Sequence, residues 1–142
     1  MGFELDTSTA YGAKVAKQVV ERKLGWLTTV SSDGTPQPNP VWFLWDDGRF
    51  ILFSEPGQAK LKNIARSGRV SFNLEATEDE EQITIFTGGA TEIDRGTIRQ
   101  ALLDEYAAKY VQGMINIKLT RAEYEAKYLS VIEFKPEKVR GW

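Results

Sequence analysis

Three prolines at alternate positions constrain the fold of this chain most. Pro36, Pro38 and Pro40 stand in "TPQPNPVWFLW", directly after the turn signal Asp33-Gly34. Because proline has no backbone N–H, a strand with proline at every second position cannot donate hydrogen bonds along one of its edges. The sequence therefore predicts a hairpin between "LGWLTTVSS" and this stretch, whose first half lies at a sheet edge or in an irregular run.

Further strand signals follow along the chain. "DDGR" is typical of a turn and "FILFS" of a third strand, whereas "RVSFNLE" and "QITIFTGGATEI" indicate another hairpin. The pair Gly88-Gly89 suggests a bulge in the second strand of that hairpin. The acidic loop from Glu75 to Glu81 is interpreted as a solvated turn, and "SVIEF" predicts the closing strand.

Helical spacing predicts three main helices between these strands. The first covers about residues 9–23, with Ser8 or Thr9 as its N-cap and with Val15 and Val19 on one face. The second begins after the Pro56-Gly57 break, the third covers about residues 97–112, and a short helix precedes the closing strand. Six strands joined by hairpins, with helices between them, indicate a mainly β protein, a small barrel with helical additions.

Length and composition indicate one domain that spans residues 1–142. The chain has 142 residues, of which 42% are hydrophobic, so it can bury one sizeable core but has little room for a second. It shows no apolar run of about eighteen residues and no signal-peptide pattern, and it has no cysteine, so we expect a cytoplasmic protein that has no membrane partner. A net charge of −2 argues against a nucleic-acid partner.

The absence of histidine further limits the kinds of catalytic and metal site that this chain can form. Zinc sites, Ser-His-Asp catalysis and most proton transfer at neutral pH use imidazole or thiolate groups, and this chain has neither. No metal site is therefore predicted. If the protein is an enzyme, we expect a bound cofactor to carry the chemistry.

A cationic corner follows the third predicted strand. From Pro56 to Leu74 the chain contains four cations and no acidic residue; the cations are Lys60, Lys62, Arg66 and Arg69. Lys60 lies in the first turn of the predicted helix, where free N–H groups attract anions, and Ser54 ends the preceding strand. The pattern predicts a phosphate site, and the alternative is a solvated basic helix face.

At this point the sequence shows a family resemblance. The stretch "GWLTTVSSDGTPQPNPVWFLWDDGRFILFSEPGQAKLKNIARSGRVSFNLE", with "FTGGATEI" and a closing strand, resembles the split β-barrel flavin and deazaflavin oxidoreductases related to pyridoxamine 5'-phosphate oxidase. It is most similar to the actinobacterial branch of coenzyme F420-dependent reductases. The resemblance covers about residues 9–142 and rests mainly on strand order and on "FSEPGQAKLKNI". It implies a six-stranded antiparallel split β-barrel.

The resemblance also implies which residues bind the cofactor. Lys60 matches the lysine that holds the cofactor phosphate, and Ser54 matches a Ser or Thr beside that phosphate. The run Asn39-Pro40-Val41-Trp42 matches the strand whose backbone lies along the flavin or deazaflavin ring. Phe53 and Asn63 are weaker matches. Catalytic residues stay unassigned, because the resemblance provides no invariant catalytic triplet.

One departure from the family pattern bears on the reaction. Oxidase-like members carry an arginine just before the phosphate lysine, whereas this chain has Ala59 there. Lys62 is the candidate that supplies the missing charge. The departure argues against ordinary oxidation of pyridoxamine phosphate.

The aromatic residues are divided between core and pocket. Alternation along paired strands favours the core for Phe43 and Phe53, with the cofactor pocket as the alternative for both, while Trp42 is assigned to the cofactor pocket. The terminal Trp142 and the aromatic strand offer more apolar surface than one small core covers. Since the family builds its site across two chains, we expect a homodimer.

Two classes of function fit these observations. In the first, the protein is an oxidoreductase in which coenzyme F420 exchanges hydride with a small conjugated acceptor. In the second, the chain binds FMN as an oxidase or reductase of the pyridoxamine 5'-phosphate oxidase type, or it binds a flavin or deazaflavin without catalysis.

Overall fold

The structure, a computed structural model, describes residues 3–76 and 82–142, so most of the predicted acidic turn lies outside the described residues. Within these ranges the chain forms seven strands and five α-helices. The strands are β1 (Gly25–Val30), β2 (Pro36–Val41), β3 (Leu44–Asp46), β4 (Arg49–Ser54), β5 (Arg69–Leu74), β6 (Thr84–Ile93) and β7 (Ser130–Gly141). The helices are α1 (Ala10–Glu21), α2 (Ala59–Arg66), α3 (Gln100–Lys109), α4 (Val111–Asn116) and α5 (Arg121–Lys127).

All of these strands pair antiparallel in one sheet, whose order is β2-β1-β5-β6-β7-β4-β3. Of the two arrangements predicted for the proline-containing stretch, a sheet edge or an irregular run, the sheet edge is confirmed, because β2 is the first strand in this order. The opposite edge is β3, which follows β2 in sequence after only Trp42 and Phe43. Because two residues can span only a short distance, the two edges must come close together, and the sheet curves into a split barrel.

The prediction of six strands is wrong, because "PVWFLW" does not form one continuous strand. The chain leaves β2 at Val41 and enters β3 at Leu44. Between them, the backbone N–H of Phe43 donates to the Tyr110 hydroxyl at 2.8 Å, and the Phe43 carbonyl accepts from Lys109 Nζ at 2.9 Å. These side chains satisfy backbone groups that a continuous strand would pair with a neighbour, so the sheet gains a seventh strand.

Alternating side chains produce two apolar clusters on the two faces of the sheet. In β4, Leu52 joins the cluster inside the barrel, while its neighbour Ile51 joins the cluster between the barrel and α3, α4 and α5. In β7, Ile132 and Val131 divide in the same way. Helices α3, α4 and α5 therefore cover one outer face of the barrel, whereas α1 and α2 pack against the cluster inside it.

Several local predictions are confirmed. Thr9 caps α1 by accepting from Gly12 N–H, the β3–β4 turn has positive φ at Asp47 and Gly48, and β6 changes register at Thr87/Gly88. The predicted helix over residues 97–112 is not continuous. It becomes α3 and α4, divided at Tyr110, where ψ is 22°.

Candidate functional site

Two adjoining cavities lie beside the edge strand β2, and Lys60 lines both. The polar cavity, of about 190 Å³, is lined by Ser31, Gln37, Asn39, Gln58, Ala59, Lys60 and Asn63. The aromatic cavity, of about 260 Å³, is lined by Pro40, Val41, Trp42, Phe53, Lys60, Ile117, Tyr124 and Tyr128. Neither set contains an acidic side chain, so Lys60 supplies the only formal charge among these lining residues.

Helix α2 positions Lys60 at the boundary between the cavities. Its apolar face buries Leu61 and Ile64. Asn63 is also buried, and its amide donates to the Thr29 hydroxyl at 3.0 Å. Arg66 donates to the Val30 carbonyl at the other end of the helix. The helix is thereby fixed to β1, and its first turn, which no side chain caps, faces the polar cavity.

The Lys60 ammonium is well suited to hold an anion. It makes no hydrogen bond or ion pair with any residue in the described ranges. Partial burial lowers the pKa of Lys60, and the carboxylate of Glu55 opposes that shift. Glu55 itself pairs with Lys127 at 3.5 Å. A phosphate would therefore meet a cation that no direct ion pair in the described ranges already engages.

The structure brings most of the predicted site residues together. Asn39 and Asn63 line the polar cavity, the aromatic cavity contains Pro40, Val41, Trp42 and Phe53, and Lys60 joins the two. Phe43 is fully buried in the barrel core, as alternation favours.

Two predicted residues lie elsewhere. Ser54 is only 1% exposed, its hydroxyl donates to the Glu55 carbonyl at 2.9 Å, and it lines neither cavity. Lys62 is exposed and also lines neither. Lys62 points away from the cavities because two positions along α2 rotate its side chain by more than half a turn relative to Lys60.

A series of stacked rings forms one wall of the aromatic cavity. Trp42 lies between Tyr110 and Tyr124, with ring centroids at 4.6 and 5.4 Å and interplanar angles of 6° and 17°. Tyr128 stacks in turn on Tyr124 at 4.3 Å. The sequence analysis did not assign these tyrosines to the site. The i,i+4 spacing of Tyr124, in α5, and Tyr128, which directly follows α5, was the available signal, because that spacing brings both rings to one side of the helix.

Hydrogen bonds keep this wall rigid. The Tyr110 hydroxyl contacts both backbone groups of Phe43 and the carbonyl of Lys23, at 2.8–2.9 Å. The hydroxyls of Tyr106 and Tyr124 are 2.7 Å apart. Burial raises the pKa of Tyr124 to about 12 and raises the pKa values of Tyr106 and Tyr110 as well, so all three phenols are neutral at physiological pH.

A larger open cleft of about 800 Å³ lies over β4, β6 and β7. It is lined by charged side chains that neutralise one another: Arg49 pairs with Asp46 and Glu133, and Arg69 pairs with Glu137. This cleft therefore lacks the unpaired cation that makes the smaller cavities suitable for a phosphate.

The chain was compared with known proteins. The family model described as pyridoxamine 5'-phosphate oxidase matches residues 12–142. No curated protein matches. A solved F420 reductase is 22% identical with a TM-score of 0.65, over 93% of this chain and 97% of that one.

Two further solved structures share the fold. A FAD-binding protein from Mesorhizobium loti is 19% identical with a TM-score of 0.70, over 91% of this chain and 90% of that one. General stress protein 26 from Bacillus anthracis is 16% identical with a TM-score of 0.70, and the match covers 91% of each chain. In the part of this chain that the structure describes, no helix has the length and apolar character needed to cross a bilayer.

The family model covers nearly the whole chain, including the strands, α2 and both cavities. The chain belongs to the pyridoxamine 5'-phosphate oxidase family.

Proposed function

We propose that this protein is an oxidoreductase that binds coenzyme F420 and transfers hydride between this deazaflavin and a small conjugated acceptor. The observation that carries the proposal is the Lys60 ammonium, which makes no ion pair within the described residues and lies at the junction of a polar and an aromatic cavity. The similarity to an F420 reductase supports the choice of coenzyme F420 as the cofactor in this proposal.

The residues present fit a phosphate-bearing planar cofactor. Lys60 and the uncapped first turn of α2 would hold the phosphate, because both offer positive potential and neither cavity is lined by a carboxylate. Trp42, Phe53 and Tyr124 would give the cofactor ring apolar contacts along the cavity wall. Asn39, in the polar cavity, offers an amide to a polar group of the cofactor.

When bound, the deazaflavin supplies the hydride chemistry. The chain itself binds and orients the reactants and excludes water from them. The ring stack from Tyr110 to Tyr128 fixes the orientation of the cavity wall, and Ile117 adds apolar surface to the lining. The lining residues include no histidine, cysteine or carboxylate, so the chain provides position and electrostatic attraction rather than a strong general base.

The same absence of a lining base supports a second candidate function. A protein that only stores a flavin or deazaflavin, or an oxidase or reductase that uses FMN, needs the same phosphate anchor and the same aromatic wall. The similarity to a FAD-binding protein is consistent with this alternative.

Spectroscopy separates these functions. The purified protein is mixed with coenzyme F420 or FMN and freed of unbound cofactor, and its visible absorption spectrum is recorded. We expect the deazaflavin spectrum to be retained, and reduced coenzyme F420 to be oxidised when 2-cyclohexen-1-one is added. Retention of FMN with oxygen consumption would favour the FMN oxidase, and retention of coenzyme F420 without oxidation would favour the storage protein.

A further inference from the structure

Lys109 is a partly buried lysine that the proposed function does not use. It is the last residue of α3, and it lines neither cavity beside β2. Its Nζ donates to the Phe43 carbonyl at 2.9 Å and lies 3.8 Å from the centre of the Phe43 ring and 5.3 Å from that of the Tyr110 ring. The amine therefore lies against two aromatic rings and a neutral acceptor, while its side chain stays partly open to solvent.

The groups around Lys109 disfavour its ammonium form. No carboxylate in the described ranges pairs with it, and the charged neighbour that acts on it is another cation, Lys23, in the connection between α1 and β1. The adjacent Tyr110 is a neutral phenol, because burial raises its pKa. Partial burial and the like charge of Lys23 lower the pKa of Lys109 to about 7. A large share of the Lys109 side chains therefore carries a neutral amine at neutral pH.

A neutral lysine amine that solvent can reach is a nucleophile. Lysine amines in water are almost wholly protonated at pH 7, and an ammonium has no lone pair with which to attack a carbonyl carbon. Loss of hydration and a neighbouring cation are the features that activate lysine for imine formation in proteins. Lys109 has both, and its hydrogen bond to Phe43 uses an N–H rather than the lone pair.

We propose that Lys109 is a covalent modification site for small aldehydes, which its partly exposed amine attacks beside Phe43 and Lys23. The amine nitrogen bonds to the aldehyde carbon, and the aldehyde oxygen leaves as water with the two hydrogens of the neutral amine. The step forms an imine without oxidation or reduction. A neutral imine nitrogen carries no hydrogen, so the donation from Lys109 to the Phe43 carbonyl ends, while that from Tyr110 persists.

Reductive labelling of the parent protein tests the inference. The protein is treated at pH 7 and low conversion with propanal and sodium cyanoborohydride, and the label on each lysine is followed over time by peptide mass spectrometry. We expect Lys109 to be labelled at least about tenfold faster than the exposed Lys62, because more of its amine is neutral. Lys60 is a second internal comparison: it is also partly buried, but the carboxylate of Glu55 favours its ammonium, so it should react more slowly than Lys109.

A pH series and a pair of variants relate the reactivity to the surroundings of Lys109. The ratio of Lys109 to Lys62 labelling should fall between pH 7 and pH 10, because ordinary lysine amines also lose their protons there. Lys23→Met removes the neighbouring cation and should slow Lys109 labelling at pH 7 about two- to fivefold. Lys17→Met is the matched control, because Lys17 is an exposed cation of α1 that pairs with Glu21. This control should leave the Lys109 rate unchanged.

The inference is overturned if Lys109 is labelled no faster than Lys62 at pH 7, or if its rate in Lys23→Met equals that in the parent. Either result would mean that Lys109 is only a structural contact between α3 and Phe43.

Discussion

At the scale of single residues, Lys109 shows how the barrel and the helices are joined. Its Nζ donates to the Phe43 carbonyl and lies 3.8 Å from the centre of the Phe43 ring. No carboxylate of the described chain pairs with it. Burial, together with the like charge of Lys23, lowers the pKa of Lys109 to about 7. The ammonium therefore sits where the fold disfavours its charge.

This shift predicts a pH dependence of stability with a definite sign. Because the folded-state pKa lies below the ordinary value of 10.5, the unfolded chain binds more protons between these two values. The free energy of unfolding should therefore rise from pH 7 to pH 9 in the parent relative to Lys109→Met. Urea unfolding at both pH values measures the difference, and the exposed Lys62→Met serves as the control. An equal pH response in the parent and in Lys109→Met would contradict the assignment.

At the scale of elements, helix α4 lies very close to the stacked rings that form the wall of the aromatic cavity. A Cβ atom added at Gly113 would lie 2.7 Å from Cζ2 of Trp42. That ring is held between Tyr110 and Tyr124 and has little room to move. Glycine at this position therefore lets the helix backbone lie against the indole.

Gly113→Ala should destabilise the fold even though alanine favours helices. Overpacking typically costs about 1–3 kcal/mol, which exceeds the helix preference of about 1 kcal/mol. We expect a lower Tm and altered tryptophan fluorescence. Gly96→Ala is the matched control, because its Cβ would meet no atom closer than 3.4 Å. A Tm for Gly113→Ala at or above that of the parent would contradict this prediction, because it would mean that the Trp42 ring moves aside at little energetic cost.

The elements themselves were largely predictable from local sequence. Prolines placed β2 at an edge, Asp47-Gly48 marked a hairpin, and Thr9 marked the start of α1. The break at Trp42-Phe43 was not predictable, because Lys109 and Tyr110 cause it from far along the chain. The division of the predicted helix at Tyr110 has the same origin, since that side chain is drawn to Phe43 and Lys23.

In the candidate site too, a residue with a local sequence signal was predictable, whereas residues placed by contacts distant in sequence were not. Lys60 was predictable because strand, break and helix follow one another in sequence, and that local order creates an anion site. Tyr124 lies in α5 and Tyr128 directly follows it, and both reach the cavity only through the packing of the helices on the outer barrel face. No local pattern relates them to Trp42.

At the scale of the whole molecule, apolar surface remains uncovered. Trp142 is 69% exposed although its backbone is hydrogen-bonded to Ile83, and Val111 and Ile115 on α4 are 59% and 62% exposed. We therefore expect a homodimer that buries part of this surface. Multi-angle light scattering at micromolar concentration should give twice the chain mass of 16.0 kDa. A monomer that retains its cofactor would contradict this expectation.

Lys60 is the proposed phosphate anchor of the whole site, and one comparison of dissociation constants tests this role directly. Coenzyme F420 and FMN are titrated into the parent, Lys60→Ala and Lys62→Ala at moderate salt. Removing a charge-assisted contact to phosphate should cost about 1.5–3 kcal/mol, so Lys60→Ala should bind roughly ten- to a hundredfold more weakly with an unchanged fold. Lys62→Ala, whose side chain lines neither cavity, should bind nearly as tightly as the parent. If Lys60→Ala binds both cofactors as tightly as the parent does, Lys60 is not the anchor and the cationic corner is a solvated helix face.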